Sequence, residues 1–269
     1  MKKVVFVFVM VLGLITFAAC GSSEQFDLES ETEFVVGLEA AYAPFNWSTP
    51  TQNSFTVPLA GQPGVYVDGY DVVMASYIAD ELGLDLVIKM VDWDGLISAL
   101  LSGEIDMIIA GMSPTAERAQ TVSFSNEYFR SEQVMVVSST GSYANATSLN
   151  DFSGARVVAQ LGTLQDQLID QITGVNHLEP LDTYGMLATA VSSQAADAFI
   201  AELPVALGMV ASNSELSIIQ FEDGQGFQVS DEDVIVSVAL RQEDVNLLEA
   251  VNAALATVSN ATRANIMTA

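Results

Sequence analysis

The sequence is poor in the residue types that build disulfides, metal clusters and nucleic-acid surfaces. Its 269 residues include one cysteine, one histidine and eight lysines and arginines, against 34 aspartates and glutamates. A single cysteine cannot form an internal disulfide, and with a single histidine it cannot make a Cys/His metal cluster. The formal net charge of −26 repels phosphate backbones. We therefore expect no metal site and no nucleic-acid partner.

Long apolar runs are also scarce, and the one at the N-terminus indicates export. Lys2 and Lys3 precede an apolar run from Val4 to Ala19. This run is shorter than the ~20 residues that span a bilayer as a helix, but it has the charge and length of a signal peptide. We predict a signal peptide over residues 1–19, which places the rest of the chain outside the cytoplasm.

The only cysteine lies where this apolar run ends. The segment Phe17-Ala18-Ala19-Cys20 resembles a bacterial lipobox, whose cysteine is acylated, with palmitate for example, and becomes the mature N-terminus. We expect Cys20 to anchor the protein to the outer face of the cell membrane or in the periplasm, with residues 20–33 as a tether. Cleavage after Ala18 by ordinary signal peptidase is the alternative.

From residue 34 onward, short β-branched runs alternate with stretches of helical periodicity. This alternation predicts an α/β protein with mostly parallel sheets. The predicted strands are Phe34 to Leu38, Leu84 to Val91, Ile105 to Ala110, Gln133 to Ser138, Arg156 to Gln160, Ala196 to Ile200, Leu216 to Phe221 and Val234 to Leu240. Apolar stripes predict helices through Met74, Ile78 and Leu82, through Leu164, Leu168 and Ile172, and over residues 243–258.

The segment after the predicted strand at 105–110 carries the most informative local chemistry. Ser113 can cap a helix, Pro114 suits its first position, and Gly111 lets a ligand approach the backbone. Such a helix start binds anions, and the fork of Arg118 can hold a carboxylate with two hydrogen bonds. The segment predicts a carboxylate site, with an ordinary capped helix and a surface arginine as the alternative.

Several motifs then occur in a fixed order along the chain. They are Glu39-Ala40-Ala41-Tyr42-Ala43-Pro44-Phe45, Gly69-Tyr70-Asp71-Val72, Asp92-Trp93-Asp94-Gly95-Leu96-Ile97-Ser98-Ala99-Leu100, Ala110 to Arg118, Phe124-Ser125 with Tyr128, Gln160-Leu161-Gly162-Thr163, and Ala196-Asp197-Ala198-Phe199. In this order they resemble a family 3 extracellular solute-binding protein, the receptor of polar amino-acid ABC importers. The resemblance covers residues 34–258.

The resemblance implies a fold and a set of partners. The fold is the type II periplasmic-binding-protein arrangement, in which two α/β lobes joined by two crossing strands close over one amino acid. By analogy, lobe one comprises residues 34–130 plus 230–269 and lobe two residues 134–226. The resemblance further implies a monomer that uses no cofactor and delivers its ligand to an ABC permease and ATPase.

The resemblance also implies roles for particular residues. Arg118 and the backbone near Gly111 and Ser113 would bind the α-carboxylate of the ligand. The turn at Gly162, Thr163 and Leu164 would add N–H groups to it, and Glu202 would bind the α-ammonium.

Three further residues would recognise the side chain of the ligand. Tyr42 and Trp93 would flank it, and Glu39 would lie at its distal end, which favours a cationic or amide ligand over an acidic one. A solvent-facing Glu39 is the alternative.

An enzyme and a sensor are the competing classes of function. The same two-lobed module occurs in periplasmic dehydratases of the cyclohexadienyl or arogenate type and in ligand-sensing receptors. A dehydratase acting on a dicarboxylate would want several cationic groups, whereas Arg118 is the only basic residue in the matched motifs. His177, the sole histidine, has no nucleophile near it in sequence. We therefore predict a binding protein rather than an enzyme.

Overall fold

Two five-stranded sheets form the frame of the protein, whose computed structural model describes residues 25–268. In chain order the strands are β1 (Glu33–Leu38), β2 (Ala41–Tyr42), β3 (Asn46–Thr49), β4 (Val57–Pro58), β5 (Tyr66–Asp68), β6 (Asp85–Met90), β7 (Met107–Ile108), β8 (Ser123–Arg130), β9 (Gln133–Ser138), β10 (Arg156–Val158), β11 (Asn176–His177), β12 (Ala198–Glu202), β13 (Leu216–Ile219) and β14 (Ile235–Leu240). The α-helices are α1 (Tyr70–Leu82), α2 (Leu96–Leu101), α3 (Leu164–Leu168), α4 (Tyr184–Ser192), α5 (Leu203–Ser212), α6 (Val245–Thr257) and α7 (Asn260–Thr268).

Each large sheet contains one strand that runs against the other four. The first sheet has the order β6-β1-β7-β14-β8, and β14 is antiparallel to both of its neighbours. The second has the order β11-β10-β12-β9-β13, and β9 is the antiparallel strand. The prediction of two α/β lobes with mostly parallel sheets is confirmed. A smaller antiparallel sheet, β2-β3-β5-β4, forms from the polar segment before α1.

Helix α1 shows how the sequence builds the core of the first lobe. The predicted stripe is buried at Met74 and Ile78, where it packs with Phe34 of β1. Full burial of each such side chain contributes about 1.5–3 kcal/mol. The residue before the helix must be glycine, because Gly69 has φ 125° and a Cβ there would lie 2.3 Å from the carbonyl oxygen of Phe45.

The two lobes are joined by two neighbouring chain segments. Strand β8 of the first sheet leads directly into β9 of the second, and the chain returns between β13 and β14. The Ser131 N–H donates a 2.8 Å hydrogen bond to the carbonyl of Val234, which ties the crossings together. Sequence patterning missed β8 because polar residues interrupt it and few of its side chains are buried.

Several predicted elements are shorter than expected. Strand β7 has only two residues, and the helix expected through Ile172 ends as α3 at Leu168 and continues as a 3-10 turn. The stripe residues Leu164, Leu168 and Ile172 are nevertheless buried, as predicted.

The predicted signal peptide and Cys20 lie outside the described residues. The described end of the predicted tether packs on the first lobe, because Phe26 is buried against Phe34 with the ring centroids 5.9 Å apart. The N–H of Phe26 also donates to Asp244 at 2.8 Å. Within residues 25–268, every helix is too short or too polar to cross a membrane.

Candidate functional site

A cleft between the lobes collects the predicted site residues at the ends of parallel strands, where open α/β sheets bind ligands. It is lined by Glu39, Tyr42, Trp93, Gly111, Ser113 and Arg118 from the first lobe and by Gln160, Thr163, Leu164, Gln165, Tyr184 and Glu202 from the second. Of the predicted ligand-binding residues, only Gly162 is outside this lining. Gly162 lies at the rim, where its carbonyl accepts hydrogen bonds from the first lobe.

Arg118 is the cationic group of the cleft. Its guanidinium donates to the carbonyl of Ser113 at 2.9 Å and to that of Gly162 at 3.1 Å, and it lies 5.1 Å above the ring of Trp93. Burial lowers the pKa of Arg118 to about 10, so the group stays charged at neutral pH. A guanidinium carries five N–H donors, more than these two contacts use. The remaining N–H groups of Arg118 can therefore donate to a carboxylate.

The predicted helix beginning at Ser113 is wrong. The first helical turn after β7 is the 3-10 segment Arg118–Gln120. The Ser113 carbonyl, which would accept the first helical hydrogen bond, instead accepts from the Thr115 N–H at 2.9 Å and from the Arg118 guanidinium at 2.9 Å. The Ser113 hydroxyl caps no helix and donates to the carbonyl of Asp233 at 3.4 Å. A carboxylate here relies on the Arg118 side chain and not on a helix dipole.

The turn at Gly162 has the predicted strand-to-helix geometry. Gly162 is left-handed at φ 70°, and Thr163 is the N-cap of α3. The Thr163 hydroxyl donates to the carbonyl of Gln160 at 2.7 Å and accepts from the Asp166 N–H at 3.2 Å. These bonds fix the turn that faces Arg118. The Leu164 side chain is buried, so only the backbone of this residue is available to a ligand.

Glu202 places a buried carboxyl group in the same cavity. It ends β12 directly before α5 and is only 4% exposed. Burial raises the pKa of Glu202 to about 8, and the nearby charge of Glu39 adds to the shift. Among residues 25–268, its Oε2 atom has no hydrogen-bond partner. A buried acceptor left unpaired is costly, so the group is suited to a cationic ligand.

Glu39 is the second buried carboxyl group of the cleft and does not face solvent. It is 8% exposed, and its Oε2 accepts a 2.8 Å hydrogen bond from the side-chain amide of Gln160. Burial raises the pKa of Glu39 to about 7, although the bond from Gln160 opposes the shift. Two acidic groups therefore share a cavity with one guanidinium.

Aromatic rings form the wall beside Glu39. Tyr42 stacks on Phe45 at 5.3 Å and meets Tyr184 of the other lobe at 4.9 Å between ring centroids. Trp93 donates its indole N–H to the carbonyl of Gly162 at 3.2 Å. An apolar or planar side chain fits between such rings.

Three lining residues were not predicted, namely Gln160, Gln165 and Tyr184. Gln160 stands in a matched motif and lies two residues after the end of β10, so its position was a usable signal. Tyr184 begins α4 after the N-cap Thr183, and nothing in the local sequence shows that this helix starts at the cleft.

The cleft is closed in this structure. Its free volume is about 20 Å³, room for one or two water molecules. Arg118, Trp93 and Glu39 all bond directly to the opposite lobe. An amino acid can therefore enter only when the lobes part, and the crossings between them are the place for that motion.

Comparisons with known sequences find amino-acid-binding proteins. The chain is 30% identical over 262 residues to the arginine-binding extracellular protein ArtP of Bacillus subtilis, covering 95% of this chain and 92% of that protein. It is 32% identical over 197 residues to a probable histidine-binding protein of Campylobacter jejuni, covering 71% and 69% respectively.

Solved structures show the same fold. An amino acid ABC transporter substrate-binding protein from Streptococcus pneumoniae, bound to L-arginine, superposes with a TM-score of 0.76 at 26% identity, covering 88% of this chain and 92% of that one. An ancestral arginine-binding protein bound to arginine gives a TM-score of 0.72 at 30% identity, covering 88% and 97%.

An ancestral arginine-binding protein bound to glutamine gives a TM-score of 0.72 at 30% identity, covering 88% of this chain and 96% of that one. Residues 34–268 match the model of the bacterial extracellular solute-binding proteins, family 3. This match covers most of the chain, and the relatives are amino-acid-binding proteins. The chain belongs to the bacterial extracellular solute-binding proteins of family 3.

Proposed function

We propose that this protein is an extracytoplasmic receptor that binds a polar amino acid with a cationic or amide side chain, arginine first, and delivers it to an ABC importer. The observation that carries the proposal is the unpaired, buried carboxylate oxygen of Glu202 in the cavity that also holds Arg118. A free amino acid carries the two opposite charges that would satisfy both groups.

The main chain of the ligand is held at its two charged ends. Arg118 binds the α-carboxylate through the N–H groups that its carbonyl contacts leave over, and the backbone at Ser113 and the 162–164 turn adds further N–H donors. The Gly111 N–H is not available to the ligand, because it donates to the Tyr128 hydroxyl at 3.0 Å. Glu202 binds the α-ammonium. A charge-assisted hydrogen bond there pairs an oxygen that is otherwise buried without a partner.

The side chain of the ligand reaches Glu39 between aromatic rings. Tyr42, Trp93 and Tyr184 supply flat surfaces that suit a guanidinium or an amide. Glu39 supplies a second negative charge, which repels an acidic side chain and attracts a cationic one. The relatives named for arginine and histidine support this class.

The mechanism is a shift between open and closed forms. A ligand held by Arg118 and sealed by Glu202 and the Gly162 turn favours the closed form because it contacts both lobes. The permease and ATPase of the importer recognise that form. The receptor acts as a monomer, with residues 34–130 plus 230–269 as lobe one and residues 134–226 as lobe two.

The location of the receptor follows from its N-terminus. We propose that residues 1–19 are removed as a signal peptide and that Cys20 is acylated, which holds the protein at the outer face of the membrane.

We also propose that the protein binds its ligand without converting it. Arg118 is the only basic side chain that lines the cleft among residues 25–268, too few for a dehydratase site that would hold a dicarboxylate.

A thermal-shift screen with the common amino acids tests this function. We expect arginine, lysine, histidine and glutamine to raise the melting temperature, because a ligand that binds only the folded state stabilises it by mass action. Glutamate and aspartate should shift it least. A protein stabilised by acidic amino acids alone, or a purified protein that converts an arogenate-type acid, would contradict the proposal.

The affinity for arginine should rise with pH. Glu39 and Glu202 have pKa values raised to about 7 and about 8, so both still hold protons at mildly acidic pH. A cationic ligand needs the carboxylates and must expel those protons. We expect affinity to increase about 100-fold between about pH 6 and about pH 8. Calorimetry in two buffers of different ionisation enthalpy counts the protons released.

The stability of the ligand-free protein should change in the opposite direction. Both folded-state pKa values lie above the ordinary glutamate value of 4.5, so the folded state binds protons more tightly than the unfolded state. The stability that these two groups contribute is therefore fully present below the unfolded pKa and is lost as pH rises through the folded values; thermal melts of the ligand-free protein at several pH values measure this loss. An arginine affinity that stays flat over the same pH range would contradict this assignment.

A further inference from the structure

A buried polar network lies directly behind the cleft and outside the groups that would touch a ligand. Its centre is Asp71, in the first turn of α1, which is completely buried. The Tyr128 hydroxyl donates to one carboxylate oxygen at 2.7 Å, and the Asn46 amide donates to the other at 2.8 Å. Both oxygens of Asp71 thus have side-chain partners.

Each partner of Asp71 holds the backbone of a wall of the cleft. The Tyr128 hydroxyl accepts the Gly111 N–H at 3.0 Å, and the Asn46 side-chain oxygen accepts the Ala40 N–H at 2.8 Å. Both held residues have unusual backbones, since Gly111 has φ 64° and Ala40 has φ 53°. A left-handed alanine is strained and persists only when its surroundings hold it there.

The held segments carry site residues. Glu39 comes directly after β1 and before Ala40, so the bond from the Ala40 N–H to Asn46 holds the peptide group that joins Glu39 to Ala40. Gly111 lies against the ring of Tyr42, and a Cβ there would be 2.8 Å from the ring atom Cε1. Tyr128 belongs to β8, the strand that leads into the other lobe. The hydrogen bonds around Asp71 therefore connect the two walls of the cleft, at Ala40 and at Gly111, to the strand that crosses into the second lobe.

We propose that Asp71 is a positioning residue for ligand binding, which holds Ala40 through Asn46 and Gly111 through Tyr128. This inference rests on the proposed amino-acid site. It predicts that breaking the network weakens ligand binding beyond any effect on folding, because the groups that shape the cleft move while the ligand contacts themselves stay in the sequence.

The test compares two buried tyrosines. Tyr128→Phe removes the hydroxyl inside the network. Tyr70→Phe is the matched control, because Tyr70 stacks on Tyr128 and donates its buried hydroxyl to the Tyr128 carbonyl at 2.6 Å, outside the network. We expect the melting temperature to fall by a similar amount in both variants. L-Arginine affinity by calorimetry should fall about tenfold in Tyr128→Phe only.

Asp71→Asn is a second variant that tests the same network, and it can be measured even if Tyr128→Phe does not fold. It keeps the shape and removes one acceptor, and it should weaken arginine binding by a similar factor. The double variant, which combines Tyr128→Phe with Asp71→Asn, should bind arginine no more weakly than the single variant of lower affinity. The reason is that the effects of substitutions within one network are not additive.

If the wild type binds arginine while both single variants bind within twofold of it, the inference is overturned and the proposed function stands. If Tyr70→Phe weakens binding as much as Tyr128→Phe, the inference is also overturned. If the wild type binds no amino acid, the proposed function itself fails.

Discussion

Replacing Arg118 with alanine should weaken arginine binding by about a thousandfold, the largest loss expected from a single side chain of the cleft. Truncating one partner of a buried charge pair costs about 2–5 kcal/mol, much of it from the charge that remains unpaired. Here that charge is the α-carboxylate of the ligand. Arg118→Lys should recover only part of the loss, because a lysine cannot make two parallel hydrogen bonds to a carboxylate. Calorimetric titration with L-arginine measures both variants.

Arg156→Ala is the matched control for this change. Arg156 is also paired, with Asp197 at 2.7 Å, but it lies on β10 away from the cleft lining. Its removal should leave arginine affinity within a few-fold of the wild type. Agmatine, which is arginine without its carboxylate, adds a second control, because Arg118→Ala should hardly change agmatine binding. An equal loss for both ligands would show that Arg118 does not contact the carboxylate.

Replacing Glu202 with glutamine should separate affinity from stability. The amide keeps the size of the side chain and removes its charge, so the α-ammonium loses its partner and arginine affinity should fall about 100-fold. The ligand-free protein should become more stable at alkaline pH, since the variant no longer has to ionise a carboxyl group whose pKa burial raises to about 8. Thermal melts at several pH values, together with calorimetry, measure the two effects.

Glu104→Gln is the control for charge removal alone. Glu104 is an exposed partner of Lys89 at 3.9 Å on the surface of the first lobe. Its loss should change neither affinity nor the pH dependence of stability. A Glu202→Gln variant that keeps its affinity for arginine would remove Glu202 from the site. A variant that melts at a lower temperature than the wild type at every pH would contradict the stability cost of ionising Glu202.

The sequence was sufficient for the fold class and for most of the cleft. Short β-branched runs mark the strands of both sheets, and the ordered motifs place Glu39, Trp93 and Arg118 after strands of one sheet. Because carboxyl ends of parallel strands meet at one edge, residues far apart in sequence converge there. The structure brings them into one cavity with Glu202 of the second sheet.

Local signals failed where tertiary contacts decide the conformation. Ser113 and Pro114 have the chemistry of a helix start, but the Ser113 carbonyl accepts from the Thr115 N–H and the Arg118 guanidinium instead of from a helical N–H. Strand β8 carries polar residues that hide it from patterning. Tyr184 reaches the cleft only because the two lobes close on each other, which no local pattern shows.

The role of Asp71 was hidden for a related reason. The motif around Gly69-Tyr70-Asp71-Val72 supported the family resemblance, but an aspartate in a first helical turn is ordinary in sequence. Its partners Asn46 and Tyr128 stand 25 and 57 residues away. The network depends on long-range packing, and only the structure shows that its hydrogen bonds end at the backbone of the cleft.

A crystal structure of the complex with L-arginine would show directly which groups of the cleft hold each end of the ligand. We expect the α-carboxylate of the ligand on the Arg118 guanidinium, the α-ammonium on the Glu202 carboxylate and the distal guanidinium beside Glu39. An arginine bound elsewhere on the protein, or one in this cleft with its carboxylate turned away from Arg118, would contradict it.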